Sequence, residues 1–402
     1  MTTRPAALLA AVLVAASCAS PARQPARDGE ASQGAVLPEP AIPFAPRGYV
    51  AYRAEQPPRV DGRLEEAAWQ AAPWTEDFTD IEGPSKPAPR LRTRAKLLWD
   101  SVNLYIAAEL QEPDVWGTIT RRDAVIFRDN DFEVFIDPDG DTHQYYELEV
   151  NALRTAWDLF LVKPYRDGGP AINGWDIAGL QVGVRVNGTL NRPGDTDRGW
   201  TVELALPWAA LREAAHRDAP PLPGDQWRIN FSRVEWRTRV EGRRYVKLTD
   251  STTGRPLAED NWVWSPQGVV NMHYPEMWGF VEFSDRGVGR GTAPGAAGGA
   301  ETVAIGGEET VKWLLRLVYY RERAWRARHG SYSSDLGQLG LVASPLLGYA
   351  WPPAIALTPE GFEASLPAPA RPAGAGRAGV SQRAGIGSAA RRLTIVTDGA
   401  VR

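Results

Sequence analysis

Between residues 91 and 99 the side chains alternate. Leu91, Thr93, Ala95, Leu97 and Trp99 fall on one face, with Arg92, Arg94, Lys96 and Leu98 on the other, which is the period of a strand with a buried side. Asp100-Ser101-Val102-Asn103 supplies turn chemistry and an apolar run follows to Leu110, so the segment predicts a hairpin. The same period places Phe132, Val134 and Ile136 opposite Glu133, Phe135 and Asp137, and Tyr146, Leu148 and Val150 opposite Tyr145, Glu147 and Glu149. Val182, Val184 and Val186 alternate, as do Trp200, Val202, Leu204 and Leu206, after which Pro207 reads as the opening of a short helix. Further strands are expected at residues 227–231, 245–248 and 278–283. Many short alternating strands with polar turns predict a mainly β fold, an antiparallel two-sheet β-sandwich of jelly-roll type.

The period changes after Glu308. Val311, Leu314, Leu315, Val318 and Trp325 recur at helical spacing, arginines load the last turns and His329-Gly330 ends the run, so a capped amphipathic helix of about twenty residues is expected. Short strands at residues 361–366 and 393–396 complete a small α+β domain. Its basic residues Arg316, Arg321, Arg323, Arg326 and Arg328 read most simply as a solvated face.

At the other end, residues 1–17 combine Arg4, an apolar run too short to span a bilayer and small residues before Cys18, the pattern of a secretory signal. Ala15-Ala16-Ser17-Cys18 resembles a bacterial lipobox, which implies a lipidated Cys18 and an outer-membrane lipoprotein of the cell envelope, anchored to the membrane through its lipid. The expected organisation is a signal at 1–17, a disordered tether at 18–47, a sandwich at 48–283, a Gly/Ala-rich linker at 284–307 and the α+β domain at 308–402.

Composition narrows the chemistry. With 45 Lys+Arg against 49 Asp+Glu in 402 residues, the chain lacks the basic footprint of a nucleic-acid binder. One Cys excludes a disulfide framework, and with four His a Cys/His zinc site is not expected. Sixteen Trp supply flat rings suited to a β core or to a stacking surface.

Five landmarks occur in order: Val60-Asp61-Gly62-Arg63-Leu64 with Glu66 and Ala68-Trp69; Leu98-Trp99-Asp100 with Asn103-Leu104-Tyr105-Ile106; the Asp131 to Pro138 strand Asp-Phe-Glu-Val-Phe-Ile-Asp-Pro; Gly199-Trp200-Thr201-Val202-Glu203 with Ile229-Asn230; and Trp278-Gly279. Together they resemble family 9 carbohydrate-binding modules over residues 48–283. The resemblance implies a β-sandwich, a glycan or polysaccharide partner and a non-catalytic role beside glycoside hydrolases in carbohydrate catabolism. Members hold a terminal sugar between two Trp rings with a Glu and an Arg. The matching positions here are Phe127, Glu133, Glu149 in place of the Arg, and the neighbourhood of Met272, so the implied ligand residues are Phe127, Glu133, Glu149, Met272 and His273. Read from the residues alone, Glu133, Glu147 and Glu149 equally describe a solvated strand face.

Three further chemistries stand beside this one. Asp137, Asp139 and Asp141 flank Gly140 at a spacing that suits either an acidic turn or a hard-cation loop, and the family resemblance implies structural calcium. Glu133 with Glu149 or Glu147 could form the carboxylate pair of a glycoside hydrolase. Some relatives of this sandwich bind haem through Met and His, for which Met272 or Met277 with a distant His would be needed; haem is the least favoured of the three. The region after residue 308 resembles the globular half of type IV pilins and pseudopilins, without their processing site or apolar stalk, which suggests contact with an envelope protein partner.

Overall fold

The structure is a computed structural model and describes residues 37–215, 219–288, 303–369 and 391–402. Cys18, the signal and the first half of the expected tether lie outside the described residues.

The first strands are β1 (Gly48–Arg53), β2 (Thr79–Asp80), β3 (Thr93–Trp99), β4 (Asn103–Gln111), β5 (Asp131–Asp137), β6 (Tyr145–Asn151), β7 (Ala156–Leu161), β8 (Ala171–Ile172) and β9 (Gln181–Val186). They continue with β10 (Gly199–Pro207), β11 (Gln226–Glu235), β12 (Thr238–Glu241), β13 (Arg244–Lys247), β14 (Asp260–Val263) and β15 (Gly279–Gly287). Helix α1 (Ala67–Ala71) is short, and α2 (Gly307–His329) precedes β16 (Ala354–Thr358), β17 (Gly361–Pro367) and β18 (Arg392–Val396).

Hydrogen bonding runs β8-β7-β6-β5-β11-β15-β1-β3-β4-β10-β9, with β14 and β2 attached at β11. The sheet folds over on itself as a β-sandwich, antiparallel apart from β1, which lies parallel to both β15 and β3. The predicted inward faces meet inside: Phe132, Val134, Ile136, Tyr146, Leu148 and Val150 pack against Ala95, Leu97, Ile106, Val202 and Leu204. Trp99, Trp208, Trp227 and Phe283 close one end through edge-to-face contacts at 5.5–6.5 Å. Residues 207–211 form tight turns, Ala210 N–H to Pro207 O and Leu211 N–H to Trp208 O, in place of the expected helix.

Several of the sequence landmarks are tied together by Glu203 on β10. Its carboxylate accepts the N–H groups of Asp61 (3.0 Å) and Gly62 (2.6 Å) and the Trp69 indole N–H (2.6 Å). Gly62 has φ +83, and a Cβ there would meet the Arg185 backbone nitrogen at 2.6 Å. The Asp-Gly turn, the helix-borne Trp and the strand Glu are therefore one buried clasp.

Helix α2 starts with Glu308 and Glu309 in its first turn and ends at Gly330, whose φ of 78 provides the left-handed cap. It packs on β17 and β18 and also on the sandwich: Val311, Leu314, Leu315 and Val318 share one core with Phe362, Leu366 and Ile395 and with Val269, Tyr274 and Met277. Residues 37–47, expected in the tether, join this core because they carry apolar groups. Leu37 is buried there, and Phe44 stacks on Trp313 at 5.0 Å.

Two of the arginines expected on a solvated face point into the molecule instead. Arg316, 1% exposed, bonds Thr142 Oγ1 and Asp141 O, and Arg323 bonds Asp167 Oδ1 at 2.8 Å. Beside them Arg166 Nη2 donates to both Glu276 oxygens at 2.8 Å, Tyr320 OH donates to the same carboxylate, and Arg228 pairs with Glu309 at 2.6 Å.

Burial alone would push the Glu276 carboxyl up, but Arg166 and Arg316 overcome it and hold the group at about 2. A carboxyl depressed from 4.5 to about 2 adds stability above its unfolded value and loses it as pH falls through the folded one. Thermal melting should therefore fall between about pH 4.5 and pH 2. Glu276→Gln should lower stability at neutral pH by about 3–5 kcal/mol, as expected when one partner of a buried pair is removed, and should flatten that acid limb; an unchanged acid limb in the variant would refute the assignment.

Candidate functional site

The register sets one row of side chains across the outer face of the sandwich: Ser232 on β11, Glu133 on β5, Glu149 on β6 and Trp157 on β7. A single turn at Ile126–Arg128 and the segment leading to Pro275–Met277 lie over this face. Phe127 N–H donates to Glu149 Oε2 at 3.0 Å, while Met272 and Trp278 pack with Phe135, Tyr145, Trp157 and Leu159. His273 Nδ1 and Tyr145 OH form a 2.8 Å hydrogen bond, and Met272 Sδ accepts Gln267 Nε2 at 3.1 Å.

The five expected ligand residues thus come together on one face. Four of them are interior: Glu133 is 3% exposed, Glu149 0%, Met272 7% and His273 4%, and only Phe127 is half-buried. Met272 and His273 line the core rather than forming an open wall beside a sugar, because the segment that carries them folds down onto the sheet. Of the five, Phe127 keeps the most contact with solvent. Of the two thioethers considered for haem, Met272 is engaged within the same packing and Met277 belongs to the core under α2.

Asp137, Asp139 and Asp141 converge, one carboxylate oxygen from each lying within 4.8 Å of the others. Burial and the two neighbouring carboxylates push Asp137 well up, against the pull of Arg228. Asp137 accepts the N–H groups of Gly140 and Thr142 at 3.0 Å. Lys312 of α2 donates to the carbonyls of Asp139 (3.3 Å) and Gly140 (3.2 Å), and Arg316 to that of Asp141. These residues do not fit a calcium loop: the carbonyls an ion would use are taken by an ammonium and a guanidinium, and the loop serves as an acidic socket for the helix.

An open site lies beside Phe127. A cleft of about 210 Å³ is lined by Glu112, Trp116, Asn130, Glu235 and Trp236, with Arg90 and Arg237 at its mouth. Trp236 Nε1 donates to Phe127 O at 2.8 Å, and its backbone N–H to Asn130 Oδ1 at 2.8 Å, fixing the ring over the end of β5. Lys247 of β13 sits 3.2 Å above one face of that ring. Below, the enclosed Arg233 donates through one nitrogen to Glu112 and Glu235, both at 2.8 Å, and Asn130 Nδ2 donates to Glu112 at 3.0 Å. Trp116 Nε1 is buried and has no hydrogen-bond partner among the described residues. A larger depression of about 510 Å³ near Arg53, Asp100 and Asp285 has no aromatic side chain in its lining.

Burial and the Glu235 carboxylate push Glu112 up to about 8, with Arg233 pulling the other way. The cleft therefore offers indole rings, an indole N–H and a carboxyl able to donate or accept, all recessed in one place. Sequence reasoning passed over Glu112, Trp116 and Trp236 because they lie just beyond strand ends, where alternation stops. The signal that could have found them is a Trp in the residues after a strand, directly after β11 at Trp236 and five positions after β4 at Trp116.

Residues 60–222 match the family model described as carbohydrate family 9 binding domain-like. No curated protein matches the chain. Among solved structures, a carbohydrate-binding module of family 9 from Caldicellulosiruptor kristjanssonii in complex with cellotriose is 16% identical, with a TM-score of 0.38, over 61% of this chain and 98% of that one. The module from the same organism in complex with glucose has the same identity and TM-score over 59% and 96%. A Bacteroides uniformis protein whose name proposes carbohydrate binding is 14% identical with a TM-score of 0.43, over 60% and 100%.

A carboxyl whose folded value is raised stabilises fully below its unfolded value and loses that contribution as pH rises through the folded one. Glu112 should therefore make wild-type melting decline from about pH 4.5 to pH 8. Glu112→Gln should remove most of that slope; a profile with the same slope in the variant would show that Glu112 is ionised throughout.

Proposed function

We propose that the protein is a non-catalytic carbohydrate-binding protein whose sugar site is the cleft between Trp116 and Trp236. The observation that carries this reading is the meeting of the half-buried Trp236 ring with the recessed Trp116, Glu112, Asn130 and Glu235 in one cleft, on a chain whose residues 60–222 match the carbohydrate family 9 model. Sugars present apolar C–H faces ringed by hydroxyls, so a platform with convergent polar groups is what they require. At about 210 Å³ the cleft is below the roughly 300–1,000 Å³ of sites for drug-sized ligands, which favours one terminal sugar over an internal stretch of chain. Hydrolysis needs two carboxyls flanking a bound bond. Glu133 and Glu149 are enclosed face to face, and Glu112 and Glu235 grip one guanidinium.

Anchoring through a lipidated Cys18 would place this site at the bacterial envelope, in support of polysaccharide use or binding of an envelope glycan. The lipobox-like residues support this reading, and among the described residues no helix is long and apolar enough to cross a membrane. The purified chain, screened on a glycan array and then by calorimetry, should bind a glycan through its chain end. Trp116→Phe, which removes only the indole N–H and some ring area, and Glu112→Gln should each weaken binding by a few-fold to about tenfold, since one lost neutral hydrogen bond is worth about 0.5–1.5 kcal/mol. A glycan bound equally well by both variants would remove the site from this cleft, and binding of none would remove the function. Cys18→Ala should move the protein from the membrane fraction to the soluble one.

A further inference from the structure

We propose that the loop at residues 342–348, between α2 and β16, docks on a phospholipid surface, a second membrane contact that rests on the reading of Cys18 as a lipid anchor. Between Asp335 and Glu360 the chain carries no charged residue. Within that stretch Val342, Leu346, Leu347 and Leu357 are exposed, Leu347 at 96%, and they are four of the nine large apolar side chains that stand exposed among the described residues. Apolar surface is thus concentrated in residues 342–357 rather than scattered singly, and such a concentration marks a contact. The loop is held by its neck. Leu341 is buried in the core under α2, and Trp351 packs on that core while its Nε1 donates to Leu341 O at 3.0 Å.

Two observations favour a bilayer as the occupant. The first is where the described chain begins. Leu37 shares the core with Leu341, Glu39 pairs with Arg321 at 2.8 Å, and a Cβ on Gly340 would lie 3.7 Å from Arg321 Nη1, so the described residues nearest in sequence to Cys18 lie beside the base of the loop. Eighteen residues separate Cys18 from Leu37, and at about 3.3–3.6 Å per residue they span at most about 70 Å, which keeps the loop within reach of a membrane that holds Cys18. The second is charge. Arg321, Trp325 and Arg328 recur on one stripe of α2, and Arg328 donates to Ala324 O at 3.1 Å with no carboxylate partner among the described residues. Anionic headgroups attract such cations, and the half-buried Tyr349 and Trp351 at the neck are side chains that settle at the membrane–water interface. A convex apolar tip needs a matching pocket on a protein, whereas a fluid interface accepts it as it stands.

The single Cys of the chain makes a site-specific test available. The full chain carrying Cys18→Ala with Leu347→Cys, labelled with an environment-sensitive dye, is mixed with vesicles of phosphatidylcholine and phosphatidylglycerol. Its emission should shift to the blue and be quenched by lipids bearing a nitroxide near the headgroup. The same dye at Val240→Cys, an exposed position on β12, should not respond. In co-sedimentation, Leu346→Ser with Leu347→Ser in the Cys18→Ala chain should raise the lipid needed for half-binding about tenfold; both side chains are exposed, so the fold is kept. No response at Leu347, an equal response at Val240, or binding indifferent to the double Ser variant would each overturn the proposal. So would a blue shift that grows with protein concentration in the absence of lipid, which would make a second copy of the chain the occupant. These chains carry no acyl group, so failure here is distinct from failure of the anchor, which is read by fractionating cells that carry Cys18 or Cys18→Ala.

Discussion

The Arg166 side chain is only 2% exposed, and everything C-terminal to the sandwich is arranged around its charge. Placing a guanidinium inside a protein is expensive unless it is paired and hydrogen-bonded. Glu276 meets it from the segment before β15, the Tyr274 ring lies 4.2 Å from it, and α2 contributes Tyr320 to the same carboxylate. The helix therefore cannot leave without exposing a buried ion pair and its tyrosines. Arg316 and Lys312 extend the grip to the acidic loop after β5, and Arg323 extends it to Asp167. A basic helix fitted to an acidic sheet end explains why this face of α2 carries so many arginines.

That docking also acts on the candidate site. Glu276 belongs to the turn that follows Met272 and His273, so the ion pair that holds α2 also holds the segment covering the outer sheet face. Covered in this way, the face carrying Glu133 and Glu149 becomes interior, and the accessible polar chemistry shifts to its edge. Phe127 marks the boundary, since its N–H serves the buried Glu149 and its carbonyl receives the Trp236 indole that lines the open cleft.

Alternation made the strands legible, and it also assigned the faces of β5 and β6 correctly, because a two-residue period admits only two answers. The landmarks shared with family 9 modules were legible as a pattern before their physical role was visible. Glu203 shows that role: a strand carboxylate collecting three N–H groups from a turn and a Trp more than a hundred residues away is a long-range contact that no local period encodes. The arginines of α2 were misread for the same reason. Helical spacing gives a face but not its neighbour, and only the fold brings Thr142 to Arg316 and Asp167 to Arg323. Residues 207–215 read as a helix on composition, yet the chain there must turn sharply enough to seat Trp208 among Trp99, Trp227 and Phe283, and tertiary packing prevails over propensity.

The opposition of Glu149 to Glu133 has consequences beyond one pair of positions. An Arg opposite Glu133 would balance a carboxylate and leave a face able to receive hydroxyls. A Glu there concentrates negative charge in the middle of a sheet, and a sheet can tolerate that only by protonation, by a cation, or by a neighbouring base. The large apolar neighbours Phe135, Trp157, Met272 and Trp278 exclude water from the same face, which makes the demand for compensation stronger and access for a saccharide poorer. Two opposed carboxylates, together with a covering segment locked by Arg166 and Glu276, thus make this face a structural layer. At the rim of this layer the half-buried Trp236 lies with the buried Trp116 and Glu112 in one cleft, where the enclosed Arg233 holds the carboxyls of Glu112 and Glu235 in place.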